Sequence, residues 1–340
     1  TLADFGTVQY FGVDTFTTAI YRTWFGMDNR VAAAQLATAL LGVVLVLLWL
    51  ERHSRGAARY HHTSRRYRPL SPLRLTGWRA CVAFAACALP TALGFAVPFL
   101  VLLRLALDQG DPFWGPRFLA YAANSLTVST LAAVATVGTA LALAYAQRRD
   151  PGKLAAASVL VSALGYAIPG SVIAVGVLLP LALFDNALDA TLRAWFGVSS
   201  GLLLSGTVLA LVYAYSVRFL AVALGAVEAG MGKITRSMDE AAASLGAGPA
   251  RTLVQVHAPL MGGSILTAAM IVFVDTLKEL PATLIVRPFG FDTLAVRVYQ
   301  LALDERLAQA STAAVAIVAV GLVPVALLCW TIARARPGAH

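Results

Sequence analysis

Residues 239–259 read DEAAASLGAGPARTLVQVHAP, a polar island between long apolar runs. The acidic pair Asp239–Glu240, followed by Ala241, Ala242 and Ala243, favours a short helix over Met238–Leu245. Alanine has the highest helix propensity, and negative charge near a helix start complements its dipole. Gly246, Gly248 and Pro249 then stop the helix. Ala250–His257 has room for another turn or two before Pro259 leads into the next apolar run. This is the pattern of a compact, hairpin-like knob carried by a membrane protein.

The rest of the composition agrees. Of 340 residues, 59% are hydrophobic and 13% charged, with a mean hydropathy of +0.75. A soluble globular domain does not reach that balance. Cys81, Cys87 and Cys329 all lie in apolar runs. Cys81 and Cys87 are six apart on one helix and do not face each other, so neither a disulfide framework nor a metal spacing is present. Residue 1 is Thr, with no signal peptide pattern, which reads as a piece of a longer chain.

Seven runs have the length of a membrane-spanning helix: Val31–Leu50, Ala80–Leu103, Ala122–Ala146, Leu154–Leu179, Gly201–Leu224, Pro259–Val286 and Gln309–Ala333. Pro169–Gly170 and Pro281 predict kinks in the fourth and sixth. Alternation puts Glu51–Arg79, Gln147–Lys153, Gly225–Ala258 and the C-terminus on one side, and these segments hold 16 of the 26 Lys and Arg. The opposite side holds eight. That is the positive-inside pattern, which makes the knob cytoplasmic and explains the net charge of +9 without nucleic acid.

One element occurs twice. Phe11-Gly12-Val13-Asp14-Thr15 with Tyr21 matches Phe289-Gly290-Phe291-Asp292-Thr293 with Tyr299 at a constant offset of 278. Shared Gly, Asp, Thr and Tyr at fixed spacing point to a duplication. On that reading residues 1–50 are an outer segment and the last span of a preceding half. Residues 51–79 are then a basic linker, 80–333 a six-span domain with its loop at 225–258, and 334–340 a cytoplasmic tail. A solvated, lipid-facing linker is a simpler reading of the His61–His62 pair than a metal site.

Four ionisable residues fall inside spans, where charge is costly. Arg218, near the cytoplasmic end of its expected span, can snorkel to the interface. Asp275, Lys278 and Glu279 lie one turn apart, so that both carboxylates share a face and Lys278 can neutralise either. They form either a self-neutralised packing cluster or a polar lining on the route of a hard cation. Tyr166, Pro169 and Ser171 in the kinked span admit the same two readings, bland packing or a pathway wall.

The spacing of the knob resembles the EAA loop of ABC-importer permeases. Glu240, Ala241, Ala242, Gly246 and Pro259 fall in register; Val256 stands where that pattern has isoleucine and Ala258 where it has leucine. Lys278-Glu279-Leu280-Pro281-Ala282-Thr283, Arg287-Pro288-Phe289 and Phe291-Asp292-Thr293-Leu294-Ala295 are similar to the ferric-iron subgroup, whose members are fused duplicates. Asn124-Ser125-Leu126 is similar to the start of the permease core. The resemblance implies an all-α, polytopic membrane helix bundle with the type I (MetI-like) permease fold. It also implies that the loop, from Asp239 onward, is the coupling helix seated on a separate ATP-binding cassette subunit that acts as a dimer.

On the same resemblance, a periplasmic binding protein delivers the substrate and ATP with Mg belongs to the partner. This chain then binds no cofactor of its own, consistent with the lack of a Walker-type loop or a GKS or GKT triplet. The setting implied is a bacterial inner membrane, with lipid rather than nucleic acid as the surrounding partner. Asn124, Tyr166, Pro169, Asp275, Lys278 and Glu279 are the candidates for a translocation pathway. Thiamine and polyamine permeases share the architecture, and Asp275 with Glu279 would alternatively suit an ion-driven secondary transporter.

Overall fold

The computed structural model describes residues 3–55, 74–111, 115–150 and 152–334. The His61–His62 pair, most of the basic linker and the tail after Arg334 lie outside them. The described residues are mostly helical, with no strand among them. In chain order the helices are α1 (Gly6–Tyr10), α2 (Phe16–Tyr21), α3 (Arg30–Arg55), α4 (Trp78–Thr91), α5 (Val97–Gln109), α6 (Pro116–Arg149), α7 (Lys153–Leu164) and α8 (Gly170–Phe196). They continue with α9 (Val208–Met231), α10 (Arg236–Ser244), α11 (Pro249–Thr252), α12 (Ala258–Leu260), α13 (Gly262–Leu277), α14 (Pro281–Val286), α15 (Leu294–Leu303) and α16 (Leu307–Arg334).

Six stretches are long and apolar enough to cross a membrane: Arg30–Glu51, Trp78–Gln109, Pro116–Arg149, Gly170–Phe196, Val208–Met231 and Leu307–Trp330. Pro249–Leu260 with Gly262–Leu277, bent by 83°, makes a seventh if counted as one span. The chain is a multi-pass membrane protein.

The core forms where α6, α9 and α13 pack together. Small residues let them approach closely: Ala132, Ala140, Ala214, Ala223 and Ala268 are fully buried. At Gly230 a Cβ would stand 2.7 Å from the Ser264 side chain, so α9 and α13 nearly touch there. By contrast α4 and α5, joined through a π-helical turn at Ala92–Ala96, bury no residue, and α5 lies along α16.

Two spans depart from expectation. The run Leu154–Leu179 is divided: α7 ends at Leu164, and α8 begins only at Gly170, after Pro169. Helix α8 then continues to Phe196 through residues expected to form an outer loop. The reason is a polar stripe spaced four apart, Asp185, Asp189 and Arg193, which lies along one side of the helix. Asp185 accepts bonds from the Leu204 and Ser205 amides and the Ser205 hydroxyl, while Asp189 accepts from Ser199, Ser200 and Gly201. The second departure follows: residues 201–206 belong to this stapled loop, with Gly201 and Gly206 left-handed, so the next span starts at Val208 rather than Gly201.

The sidedness inferred from charge agrees with the contacts. The 147–153 turn meets the 225–258 loop through Arg148 and Asp239. Asp111 meets Arg297 on the opposite face. The duplicated element also recurs in three dimensions. Gly12 and Gly290 share a left-handed backbone, with φ of 67° and 73°. Thr15 and Thr293 each cap the next helix by accepting from the amide three residues on. The rings of Tyr21 and Tyr299 both lie against Phe5, 3.9 and 5.5 Å between centroids. A left-handed acidic residue, Asp28 in one copy and Glu305 in the other, precedes each following span.

Candidate functional site

The knob is built from α10 to α12. Helix α10 stops through a Schellman arrangement: the Gly246 amide donates to the Ala243 carbonyl (2.9 Å) and the Ala247 amide to Ala242 (3.0 Å). This requires Gly246 to be left-handed, at φ 74°, a conformation that costs glycine nothing. Pro249 opens α11, residues Leu253–His257 widen into a π-helical turn, and the chain bends sharply at Met261 into α13. Glu240, Ala241, Gly246 and Pro259 are exposed, Ala242 is buried against the bundle, and Val256 is half-buried. Met238, Leu245 and Val254 add exposed apolar side chains to the tip.

Asp239 is turned inward and serves as a junction. One carboxylate oxygen accepts from Arg148 Nε at 2.8 Å, and the other meets His257 Nε2 at 2.5 Å. Burial alone would raise this carboxyl, but the bonds from Arg148 and His257 outweigh it and hold it below the usual carboxylate range. The remaining Arg148 donors reach the carbonyls of Met231, Ile234 and Thr235 at 2.9–3.1 Å. His257 is fully buried, edge-on to the Tyr145 ring. Arg148 and His257 were not singled out from the sequence, since their partners lie 91 and 18 residues away. A pocket of about 450 Å³ beside them is lined by Tyr145, Arg149, Arg236, Glu240 and Pro249.

The second polar centre is inside the bundle. Arg218 lies midway along α9, not at its end, because that helix starts seven residues later than expected. It cannot snorkel; Nη1 lies 3.3 Å from Glu279 Oε1, with both side chains largely buried. Glu279 also accepts from the Ala282 amide at the start of α14. The Tyr215 and Thr283 hydroxyls bond at 2.5 Å, and Thr283 donates to the Glu279 carbonyl. Two glycines of the α7–α8 break press on α9. A Cβ on Gly165 would lie 2.1 Å from the Val217 carbonyl oxygen, and one on Gly170 would lie 2.0 Å from Arg218 Nη1 and 2.6 Å from Glu279 Oε1.

The expected Asp275–Lys278–Glu279 cluster is therefore split. Helix α13 ends at Leu277, so Glu279 no longer follows the helical face of Asp275. Lys278, largely exposed, pairs with Asp275 at 3.0 Å, while Glu279 turns to Arg218. Pro169 is buried at the break beside this pair and Ser171 is fully buried next to it, whereas Tyr166 is exposed. Asn124 holds the outer loop, donating to the Asp292 carbonyl at 3.0 Å. Among the described residues no three His, Cys, Asp or Glu are placed to hold a metal ion.

With this geometry in hand, comparison with known proteins gives a consistent result. The chain is 26% identical over 333 residues to the Fe(3+)-transport system permease protein FbpB 2 of Haemophilus influenzae. The match takes in 96% of this chain, which spans 62% of that relative's length. No family model matches the sequence. The fold is similar to the bacterial ABC transporter that imports the acidic polysaccharide alginate, with a TM-score of 0.58 and 18% identity, over 76% of this chain and 96% of the other. It is also similar to the alginate transporter bound to its pentasaccharide-loaded periplasmic protein, with a TM-score of 0.56 and 16% identity, over 74% and 92% of the two chains. The chain thus has the fold of an ABC-importer permease, and its sequence is similar to that of a ferric-iron permease.

Proposed function

We propose that this chain is a transmembrane permease subunit, or its larger C-terminal portion, of an ATP-driven importer in a bacterial inner membrane. The observation that carries this reading is the knob. At the spacing of the EAA loop, a helix of nine residues stands on the basic face with Glu240, Met238 and Leu245 exposed at its tip. It offers an acidic and apolar surface to a separate ATP-binding cassette dimer, in which ATP and Mg reside. Closure of that dimer pulls α10, the spans rock, and a substrate released by a periplasmic binding protein crosses as the cycle resets.

Ferric iron is the proposed substrate, supported by the name of the relative at 26% identity; thiamine, polyamines or another small solute are the alternatives within the family. The proposed route passes the Arg218–Glu279 pair, where the breaks at Pro169 and Lys278 bring two helix starts together. Asp275 and Glu279 each have a cationic partner, which weighs against an ion-driven carrier that needs a bare carboxylate. Residues 1–50 are proposed as the end of a preceding half, a reading supported by the structural repeat.

The test is co-purification of the chain, with its upstream half restored, against candidate ATPase subunits, wild type beside Glu240→Lys. A complex lost on reversal of that charge is expected. No complex with any ATPase overturns the reading.

A further inference from the structure

We infer that Arg148 and His257 are positioning residues that make the coupling helix move as one body with three spans. This rests on the proposed coupling role of α10. Two faces of the knob are distinct: Glu240, Met238 and Leu245 point outward, while Asp239 points into the bundle. Only the inward face determines whether a push on the helix reaches the membrane.

The links at that face are few and specific. Arg148 sits in the last turn of α6 and uses its fork to bind Asp239 of α10, the last residue of α9 and two carbonyls of the α9–α10 connection. Backbone amides of Gly232, Lys233 and Ile234 already close the end of α9, and the guanidinium adds a second donor at Met231 while tying the α9–α10 connection to α6. The second Asp239 oxygen holds His257, which lies on the segment leading into α13. His257 rests against Tyr145, one turn from Arg148 on α6, which closes the ring. The outcome is a junction of α6, α9, α10 and the approach to α13 around one carboxylate. On its C-terminal flank α10 is followed by the left-handed Gly246 and then the π-helical turn Leu253–His257.

The charged groups on Asp239 are Arg148 from α6 and His257 from the re-entry segment; Arg149, Arg236 and Glu240 line the neighbouring pocket. A lysine at 148 keeps the charge but is a point donor that cannot serve all four acceptors. His257→Phe keeps an aromatic ring against Tyr145 and removes the nitrogen that meets Asp239, together with Nδ1, which has no hydrogen-bond partner.

The experiment uses the full chain with Cys81, Cys87 and Cys329 replaced by alanine and Leu245→Cys carrying a nitroxide. Arg148→Lys and His257→Phe should each raise label mobility while leaving membrane insertion unchanged. In the unlabelled chain, which keeps Leu245, both variants should still co-purify with the ATPase, because the tip is intact. Ferric ion transported per ATP hydrolysed, supplied on the binding protein, should fall about tenfold, the equivalent of one charge-assisted hydrogen bond. Unchanged mobility and an unchanged ratio would overturn the inference. If wild type recruits no ATPase, the proposed function falls instead, and label mobility still decides whether this junction holds the helix.

Discussion

A methyl group at Gly170 would collide with both halves of the Arg218–Glu279 ion pair. Each charge would cost about 2.5–3.5 kcal/mol at the centre of a membrane if left alone, so the pair is tolerated only while its geometry is kept. Gly170→Ala should destabilise the protein by about 1–3 kcal/mol, the usual penalty of overpacking, and lower its thermal midpoint in detergent. An unchanged midpoint would show that α8 yields and that the close approach is incidental. Sequence reading found the glycine–proline break and Glu279 but misjudged Arg218. Its error was one of register: the Gly201–Gly206 loop consumed two turns that were counted as helix, and that moved Arg218 from the membrane edge to its middle.

At the scale of elements, α10 illustrates what short-range sequence can and cannot specify. Its stop is encoded within a few residues, because a left-handed glycine acts locally, whereas its start, at Arg236 rather than the expected Met238, has no side-chain cap of its own. Its attachment is not encoded locally, since Arg148 is supplied by another helix. Gly246→Asp should unravel the end of α10, because a left-handed backbone costs about 1–2 kcal/mol for a residue with a Cβ. The expected result is faster proteolysis within 239–248 and loss of the ATPase complex, with insertion intact. Transport at normal expression would contradict the coupling assignment. The stripe Asp185–Asp189–Arg193 was missed for the opposite reason: charged residues after a run read as a loop until a partner loop is seen bonded to them.

For the whole molecule, the apolar runs and the basic-residue bias carried most of the architecture, and contacts between Arg148 and Asp239 on one face and Asp111 and Arg297 on the other agree with it. The sidedness is open to direct measurement. In spheroplasts of a cysteine-free background, a membrane-impermeant maleimide should label Phe289→Cys but not Ser244→Cys until the membrane is opened. The reverse pattern would invert the topology and detach the knob from any cytoplasmic partner. The duplicated segment was legible because glycine, threonine and tyrosine repeat at one offset; that its two copies share a ring contact with Phe5 was not, since nothing in a linear pattern tells which surfaces meet. The α4–α5 span stands apart from this interlocking. It encloses no side chain, and within this chain α5 rests chiefly on α16. Exchanging one aliphatic residue for another there should cost little so long as the stretch remains oily, whereas enlarging the buried alanines of α6, α9 and α13 should overpack the core.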